Sequence, residues 1–304
     1  MKTNYVLITP ARNEGKFLES TILSVISQTH QPSEWIIVND NSTDETGNII
    51  NKYSAEISYI KGINYPGDVK RSFSSKVMAF NFGYSNLSIE DYQFIGCLDA
   101  DITYENNYYE MILYKFVEYN NLGIAGGYVR EPSKSGFKVR KLNKPYSMPN
   151  SIQMLHRRCY EDIGGFLPLK YGGEDVAAEV LARYKGWHVM AFENIPVYHH
   201  RVASSAQGLI KGVYKQGKMD YGLGNPFLLE ILKCGRRFFT PPLFVGSLLR
   251  FLGYTVSSLM HEKRIVDKKF VKCYRKEQYI KFRFWISKFP IFSNNDKLNI
   301  NDLL

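Results

Sequence analysis

Two carboxylates separated by a single residue, Asp99 and Asp101, follow the apolar segment 92–98. Carboxylates at this spacing can converge on one divalent cation, and that cation can in turn neutralise a diphosphate. On spacing alone a turn is the more frequent explanation, because Asp is common where a chain leaves a strand. The choice between a turn and a site therefore depends on the residues around the pair.

Other acidic and basic residues have side chains that could bind a nucleotide or a phosphate. Asp40 ends an apolar segment, and its carboxylate can accept a hydrogen bond from the ring N–H of uracil or guanine, or cap the turn that follows. Lys76 can contact a phosphate or lie on a solvated helix face. Glu174 and Asp175 stand where a helix is expected to start, and acidic residues are favoured there by the helix dipole alone.

The elements that would position these residues alternate between strand and helix. Strands are predicted at residues 5–8, 35–40, 57–60 and up to Asp99, with helices at 17–26, 46–53, 75–84 and 174–185. This alternation predicts right-handed βαβ units and a largely parallel sheet, whose ligand crevice lies at the carboxyl ends of the strands. Segment 9–11, Asp40 and Asp99 fall at those ends. Residues 126–145, rich in Gly, Lys, Ser and Pro, predict a mobile loop.

The ordered set of segments 9–14, 40–44, 76–83, 99–101 and 174–175 resembles the family 2 glycosyltransferases of the GT-A fold. The resemblance covers about residues 3–200. It implies a mixed, mostly parallel α/β sheet flanked by helices. It also implies an inverting enzyme that moves a sugar from a UDP- or GDP-sugar to a glycan or lipid-linked acceptor hydroxyl, in cell-surface polysaccharide synthesis.

The resemblance also implies roles for individual residues. Asp175 would be the catalytic base and Glu174 would orient the acceptor, while Asp101 and His199, preferred over His200, would bind Mn²⁺ or Mg²⁺. Asp99 would contact the ribose or the metal. The predicted nucleotide-binding residues are Thr9, Pro10, Ala11, Arg12, Glu14, Asp40, Lys76 and Asp99.

Several of these assignments have a plain alternative. Arg12 is equally explained as a surface charge, and adjacent histidines on a strand point apart. Gly126 and Gly127 would either let the backbone approach the donor sugar or form a tight turn. The Gln-x-x-Arg-Trp motif and the long membrane helices of processive synthases do not occur in this sequence. Transfer of a single sugar is therefore expected.

The positive charge of the chain is concentrated in its last third. Residues 201–304 hold 19 Lys and Arg against 7 Asp and Glu, a balance of +12, whereas residues 1–200 hold 20 against 22, a balance of −2. This asymmetry predicts a region that faces an anionic surface, either phospholipid or nucleic acid. The four cysteines have no paired spacing, so neither a disulfide framework nor a zinc site is expected, and a reducing cytosol is.

Segment 238–260 is the one long apolar stretch, but Arg250 in its middle would cost roughly 2.5–3.5 kcal/mol in a spanning helix. As an amphipathic helix it has two faces. Either the helix lies in the inner leaflet, beside the basic residues that follow it, or it packs on the catalytic domain. The polar face would comprise Ser247, Arg250, Tyr254, Ser257, Ser258 and His261, and the apolar face Phe244, Leu248, Leu249, Leu252, Val256 and Leu259.

The sequence thus predicts a GT-A catalytic domain at 1–200 and a helical, basic region at 201–304 that associates with a membrane. The catalytic domain would divide into a nucleotide-binding half (1–125) and an acceptor half (126–200). With no signal peptide recognised at the N-terminus, the expected location is cytoplasmic, peripheral on the inner face of the cell membrane. The expected partners are a nucleotide-sugar, a glycan or lipid-linked saccharide and an anionic membrane surface, without nucleic acid.

Two other functions would use part of the same sequence pattern. A nucleotidyltransferase that makes sugar nucleotides shares the sheet and the metal, but usually needs a Gly-rich, Arg-containing phosphate loop that residues 10–15 match poorly. A basic nucleic-acid-binding protein would explain the last third of the chain, but not the acidic residues at the strand ends.

Overall fold

A computed structural model of the chain describes residues 3–67, 73–201 and 208–286. The chain divides into two compact units. The first comprises Met1–Pro168 with Glu174–Val202, and the second comprises Leu169–Gly173 with Ala203–Leu304. Parts of the predicted basic region, residues 202–207 and 287–304, lie outside the described residues. The roles predicted for the two regions, catalysis for residues 1–200 and membrane association for residues 201–304, stay predictions.

The first unit is built on one mixed sheet, which within the described ranges has nine strands in the order β3-β2-β1-β4-β8-β6-β9-β5, with β7 paired to β6. Strands β3, β2, β1 and β4 run parallel, as do β6 and β9. The strands are β1 Tyr5–Ala11, β2 Glu34–Asn39, β3 Ile60–Asn64, β4 Phe94–Cys97, β5 Ile102–Tyr104, β6 Leu122–Ser133, β7 Gly136–Val139, β8 Met154–His156 and β9 His188–His199.

Helices cover this sheet, so its central strands are buried on both faces and are apolar almost without interruption. In β1 the side chains of residues 5–8 are fully buried, and in β2 those of residues 35–38. The predicted mixed sheet flanked by helices is therefore confirmed. The helices of this unit are α1 Leu18–Ile26, α2 Thr46–Glu56, α3 Phe73–Ser85, α4 Tyr108–Glu118, α5 Arg157–Asp162 and α6 Glu174–Tyr184.

Two predicted elements are wrong. Strand β3 occupies Ile60–Asn64 rather than 57–60, because Trp35 to Asn39 of β2 pair with this later segment. The mobile loop predicted at 126–145 is instead largely strand, since β6 runs to Ser133 and β7 follows at Gly136. Residues 126–130 pair with β9, which is distant in sequence, and this pairing outweighs the local preference of Gly for loops. Residues 130–133 and β7 pair with each other as a local hairpin.

The glycines of β6 do not form a tight turn. A Cβ added to Gly127 would lie 2.1 Å from the carbonyl oxygen of Ile195, and one added to Gly126 would lie 2.9 Å from that of Ile152. Gly127 precedes a register shift in the pairing of β6 with β9. Both glycines therefore serve close approach between backbone segments inside the sheet.

The second unit is helical, with α7 Leu209–Gly222, α8 Phe227–Arg237, α9 Val245–Leu259 and α10 Lys268–Ile286. Helices α7 and α9 pack closely through glycines. A Cβ on Gly253 would lie 2.0 Å from the carbonyl oxygen of Tyr214, and Gly217 makes the reciprocal approach to Arg250. Across the described ranges, no helix combines the length and apolar content needed to span a bilayer.

Helix α9 turns most of the predicted polar face inward and the predicted apolar face outward, but Ser258 and His261, predicted on the polar face, are exposed. Ser247, Arg250 and Ser257 are buried, whereas Leu248 and Leu252 are 59% and 42% exposed. Arg250 donates from Nε to Glu230 and from Nη2 to Asp220 at 2.7 and 2.5 Å. A charged, hydrogen-bonded cluster therefore fills the contact between α7, α8 and α9, and the apolar face of the predicted amphipathic helix is left uncovered.

Candidate active site at the carboxyl ends of the strands

The loops that follow β1 and β2 are tied to one another. The Asp40 amide donates to the Ala11 carbonyl at 2.8 Å, and the Thr43 amide donates to Asn13 Oδ1 at 2.8 Å. Asn13 has a φ of 56°, which an Asn tolerates better than most residues. These bonds hold the two loops side by side at the edge of the sheet where the parallel strands end.

Asp40 is buried at this edge and faces a cation. Arg12 Nη1 lies 3.6 Å from Asp40 Oδ2. Asp44, by contrast, accepts from the Gly15 amide and from the amide and hydroxyl of Thr46. Backbone amides thus fix Asp44 in the loop, while Asp40 keeps its carboxylate on the crevice side beside Arg12.

Thr9 belongs to the core rather than to the crevice surface. Its side chain is fully buried, and its hydroxyl accepts a hydrogen bond from the Trp35 indole at 3.0 Å. Its neighbours Pro10 and Ala11 pair with β2 up to the end of that strand. This part of the predicted nucleotide-binding loop therefore supplies backbone and shape rather than polar side chains.

Lys76 of α3 joins the first acid of the predicted pair to the start of α6. Its Nζ lies 2.6 Å from Asp99 Oδ1. Burial lowers the pKa of Lys76, but the charges of Asp99 and Glu174 outweigh burial, so the net shift is upward. A lysine that stays protonated beside these acids offsets part of the repulsion between Asp99 and Glu174, although the charge of Asp99 still contributes to the raised pKa of Glu174.

Asp101 lies in a second cluster with residues from the end of β9. His199 Nε2 is 3.2 Å and Arg201 Nε 3.3 Å from Asp101 Oδ2, and Arg201 also pairs with Glu14. The register explains this meeting, because Ile102 of β5 stands opposite His199 of β9. The two acids of the pair therefore face different partners.

The adjacent histidines diverge, as neighbours on a strand must. His199 turns to Asp101, whereas His200 Nε2 lies 2.9 Å from the Thr103 hydroxyl and its ring stacks on Phe17. Between the two histidines, only His199 has its ring on the acid predicted to bind a metal.

The residues around Asp101 suit a divalent cation in part. A carboxylate oxygen and an imidazole nitrogen that already converge are donors that Mn²⁺ accepts. Among residues 3–67, 73–201 and 208–286, no group of three or more His, Cys, Asp and Glu side chains is arranged to hold a metal ion. Metals at nucleotide sites are commonly held by one or two protein ligands together with substrate phosphates, and this pair fits that arrangement.

Glu174 and Asp175 begin α6 with strongly perturbed acidity. Burial, followed by the charge of Asp175, raises the pKa of Glu174. Burial, followed by the charge of Glu179, raises the pKa of Asp175. A carboxylate whose pKa is moved towards neutrality is a stronger base than an ordinary Asp.

The crevice therefore contains three clusters drawn from the predicted residues. Arg201 belongs to one of these clusters but was not a predicted site residue, although it stands directly after the two histidines. A cation at the end of a strand that carries a predicted metal ligand was the available signal for it. The three clusters are Arg12 with Asp40, Lys76 with Asp99 and Glu174–Asp175, and Asp101 with His199, Arg201 and Glu14.

The part of the chain that carries these clusters matches a known family of enzymes. The model of the Glycosyl transferase family 2 matches residues 6–170, more than half of the chain and the part that forms most of the sheet. The chain belongs to this family. The recognition made from the sequence is confirmed.

Curated relatives agree with this membership. Glycosyltransferase GlyA of Streptococcus pneumoniae is 29% identical over 144 residues, which cover 46% of this chain and 19% of that protein. The O-antigen chain rhamnosyltransferase WbaN of Salmonella anatum is 26% identical over 207 residues, which cover 60% of this chain and 62% of that protein. The chain thus spans less than two thirds of the length of these relatives.

Solved structures share the GT-A fold at low sequence identity. The mannosyltransferase PcManGT of Pyrobaculum calidifontis, in complex with GDP-Man and Mn²⁺, has a TM-score of 0.54 at 11% identity, covering 95% of this chain and 82% of its own. GalNAc-T7 with UDP, GalNAc and Mn²⁺ has a TM-score of 0.60 at 15% identity, covering 95% and 58%. The GT-A fold expected from the sequence is confirmed.

Proposed function

We propose that this family 2 chain is an inverting glycosyltransferase that moves one sugar from a UDP- or GDP-sugar to a hydroxyl of a glycan or lipid-linked saccharide. The observation that carries the proposal is the ion pair of Lys76 with Asp99 at 2.6 Å, whose lysine also lowers the pKa values of Glu174 and Asp175 at the start of α6. The charge of this lysine thus acts both on the acid pair that follows β4 and on Asp175, a half-buried acid whose pKa is raised. The neighbours solved with GDP-Man or UDP support the choice of donor class.

The strand-end loops supply the nucleotide site in this proposal. Asp40 would accept the ring N–H of the base, Arg12 would stay beside it, and Asp99 would face the ribose or the metal. Asp101 and His199 would hold the divalent cation, which when bound supplies positive charge to the departing diphosphate. Arg201 forms ion pairs with Asp101 and Glu14, so its positive charge lies beside the Asp101 oxygen that would face the cation.

The transfer itself requires one proton transfer and the replacement of one bond to the anomeric carbon. Asp175 takes the proton of the acceptor hydroxyl while that oxygen bonds to the anomeric carbon. The bond between the anomeric carbon and the diphosphate oxygen breaks at the same time, and its electron pair leaves with the nucleoside diphosphate. One displacement from the face opposite the leaving group inverts the anomeric centre. Glu174 would orient the acceptor.

The product distinguishes this function from nucleotidyl transfer. Purified protein, incubated with Mn²⁺ and a panel of UDP- and GDP-sugars, is expected to release UDP or GDP. Release of inorganic pyrophosphate from a nucleoside triphosphate and a sugar phosphate would instead identify a nucleotidyltransferase. The curated relatives in polysaccharide synthesis, such as the O-antigen rhamnosyltransferase, direct the acceptor panel towards cell-surface glycans.

We also propose that the second unit rests on the inner face of the membrane through the outward side of α9. The uncovered side chains Phe244, Val245, Leu248 and Leu252 follow helical spacing, and Phe244 packs on Phe238. The described segment 227–260 exposes Arg236 but no acidic side chain, since Glu230 is buried. An apolar stripe without exposed acids is the composition that suits an anionic bilayer surface.

A further inference from the structure

A cavity in the second unit is lined mainly by cations and has no role in the proposed transfer. Its volume is about 740 Å³. It lies beside α10 and the end of α7, entirely within the second unit. Its basic side chains are Arg264, Lys268, Lys272, Arg275 and Lys276.

The two arginines of this cavity are fixed in place by neutral acceptors. Arg264 donates from Nε to the Tyr221 carbonyl at 2.9 Å, and its guanidinium lies 4.5 Å from the centre of the Tyr221 ring. Arg275 donates from Nε to the Gly224 carbonyl at 2.9 Å. Each guanidinium is therefore oriented, and within the described residues neither forms an ion pair with a carboxylate.

The two carboxylates on the wall are already engaged. Glu262 accepts from Lys218 and from the Tyr171 hydroxyl, both at 3.1 Å. Asp267 accepts from the Phe270 amide at 2.7 Å, as the N-cap of α10. Glu262 is thus paired with a lysine outside the cavity wall, and the single charge of Asp267 leaves the five cations in clear excess.

The lysines are placed where the helix itself opposes them. Lys268, Lys272 and Lys276 repeat every four residues along α10, and none of them has an acidic partner in the described parts of the chain. Like charges at this spacing destabilise a helix, and Lys268, in the first turn of α10, also opposes the helix dipole. A bound anion would relieve both costs.

We propose that this cavity binds the phosphate groups of a phosphorylated ligand, independently of the donor site. Oriented guanidinium groups with mobile ammonium groups around them are the combination that holds phosphate or diphosphate oxygens. The rings of Tyr221 and Tyr279 line the same cavity and leave room for a carbon portion attached to the phosphate. The phosphate belongs either to a free small molecule or to a lipid headgroup.

Binding of inorganic pyrophosphate to the full chain in excess EDTA tests the site, because chelation removes metal-dependent binding at the donor site. The variant Lys272→Gln/Lys276→Gln removes two cations of the cavity. The variant Lys211→Gln/Arg283→Gln removes two exposed cations of α7 and α10 that do not line it. Calorimetry is expected to show an affinity loss of about tenfold or more for the first variant and less than about twofold for the second.

Two arms identify the source of the phosphate. If vesicles of phosphatidylglycerol and phosphatidylcholine bind, pyrophosphate competes and the cavity variant loses both, the ligand is a headgroup. If pyrophosphate binds but vesicles do not depend on the cavity lysines, the ligand is a free phosphate compound. Equal losses in both variants would reduce the effect to net charge and overturn the site. So would wild-type protein that binds neither pyrophosphate nor anionic vesicles.

Discussion

Asp99 and Asp101, two residues apart, have different partners. Asp99 pairs with Lys76 from α3, and Asp101 lies between His199 and Arg201 near the end of β9. Each carboxylate is therefore oriented by a separate element. This division gives the two acids separable effects on substitution.

The Asp101→Ala variant should lose Mn²⁺-dependent donor binding, because it removes one of the two metal donors that converge in the described part of the chain, and a partner of Arg201. Thermal shift with UDP- and GDP-sugars, with and without Mn²⁺, measures the loss. The Asp91→Ala variant, at an exposed position of the same unit, is the matched control. Metal-dependent donor binding that survives in Asp101→Ala would show that the metal is held elsewhere.

The Asp175→Asn variant should lose about 10²–10⁴-fold in kcat, the range that a general base contributes. In the wild-type protein the rate should fall as the pH falls through the raised pKa of Asp175, because the base must be ionised. The controls are Asp91→Asn for the rate and circular dichroism for the fold. An unchanged pH–rate profile in Asp175→Asn would exclude this residue as the base.

The same substitution has a predictable effect on stability. Burial raises the pKa of Asp175, so the ionised form destabilises the folded state at pH values above the folded pKa. This penalty disappears below the unfolded pKa. Asp175→Asn should therefore raise the melting temperature at about pH 8 and change it little at about pH 4. A lower melting temperature at both pH values would contradict the assignment.

Among the elements, α9 is the helix whose packing rests on charge. Arg250 is buried with Glu230 and Asp220, and Lys233 contacts the same Asp220. A buried ion cluster is strongly destabilised when one member is lost, because the remaining charges stay buried without compensation. The apolar atoms that usually fill such a contact lie on the outside of this helix.

Replacing Arg250 with Met should therefore destabilise the second unit by about 3–5 kcal/mol. Chemical denaturation followed by circular dichroism measures this change. The control Arg236→Met, at an exposed position of α8, should change the free energy of unfolding by less than about 0.5 kcal/mol. Equal effects in the two variants would show that the cluster contributes no specific stabilisation.

Periodicity predicted the elements of the first unit well where strands and helices follow one another locally. It placed β1, β2, α3 and α6, and with them Asp40, Lys76 and Glu174, because each depends on a short apolar pattern and its ends. It failed for residues 126–139, because residues 126–130 become strand by pairing with the distant β9 and residues 130–139 continue from them as a hairpin. The two faces of α9 were also recognised, but periodicity does not say which face is buried.

The site was predictable for the same reason and to the same extent. Residues that stand at the ends of parallel strands meet at one edge, so Asp40 and Asp99 could be placed near the crevice from the strand order alone. The contact of Lys76 with Asp99 and that of Arg201 with Asp101 depend on side-chain directions. Those directions are set by packing between elements, and sequence periodicity does not predict them.

At the scale of the whole molecule, net charge and exposed apolar surface occur in the same part of the chain. The balance of +12 falls on residues 201–304, which also contain the uncovered face of α9. Electrostatic attraction to anionic lipid and burial of apolar side chains act together at a membrane surface. Each contributes separately and can be removed separately.

The Leu248→Gln/Leu252→Gln variant should float less with vesicles of anionic phospholipid than the wild-type protein, because it removes apolar surface without changing charge. Salt should weaken binding of both proteins, since exposed charges are screened at high ionic strength. The control Leu23→Gln changes a leucine of α1 that is 53% exposed. Wild-type protein that fails to float would contradict the membrane contact. A concentration-dependent dimer that is lost only in the double variant would show that α9 contacts protein instead.

The orientation of α9 also decides how the protein must be handled in solution. Sulfate and similar salts strengthen contacts between apolar surfaces and leave the buried Arg250 cluster largely unscreened. Salting-out conditions would therefore join copies of the chain through Leu248 and Leu252 while their interiors stay folded. Mild detergent or short-chain lipid, which covers this face, is the additive that keeps such a chain dispersed.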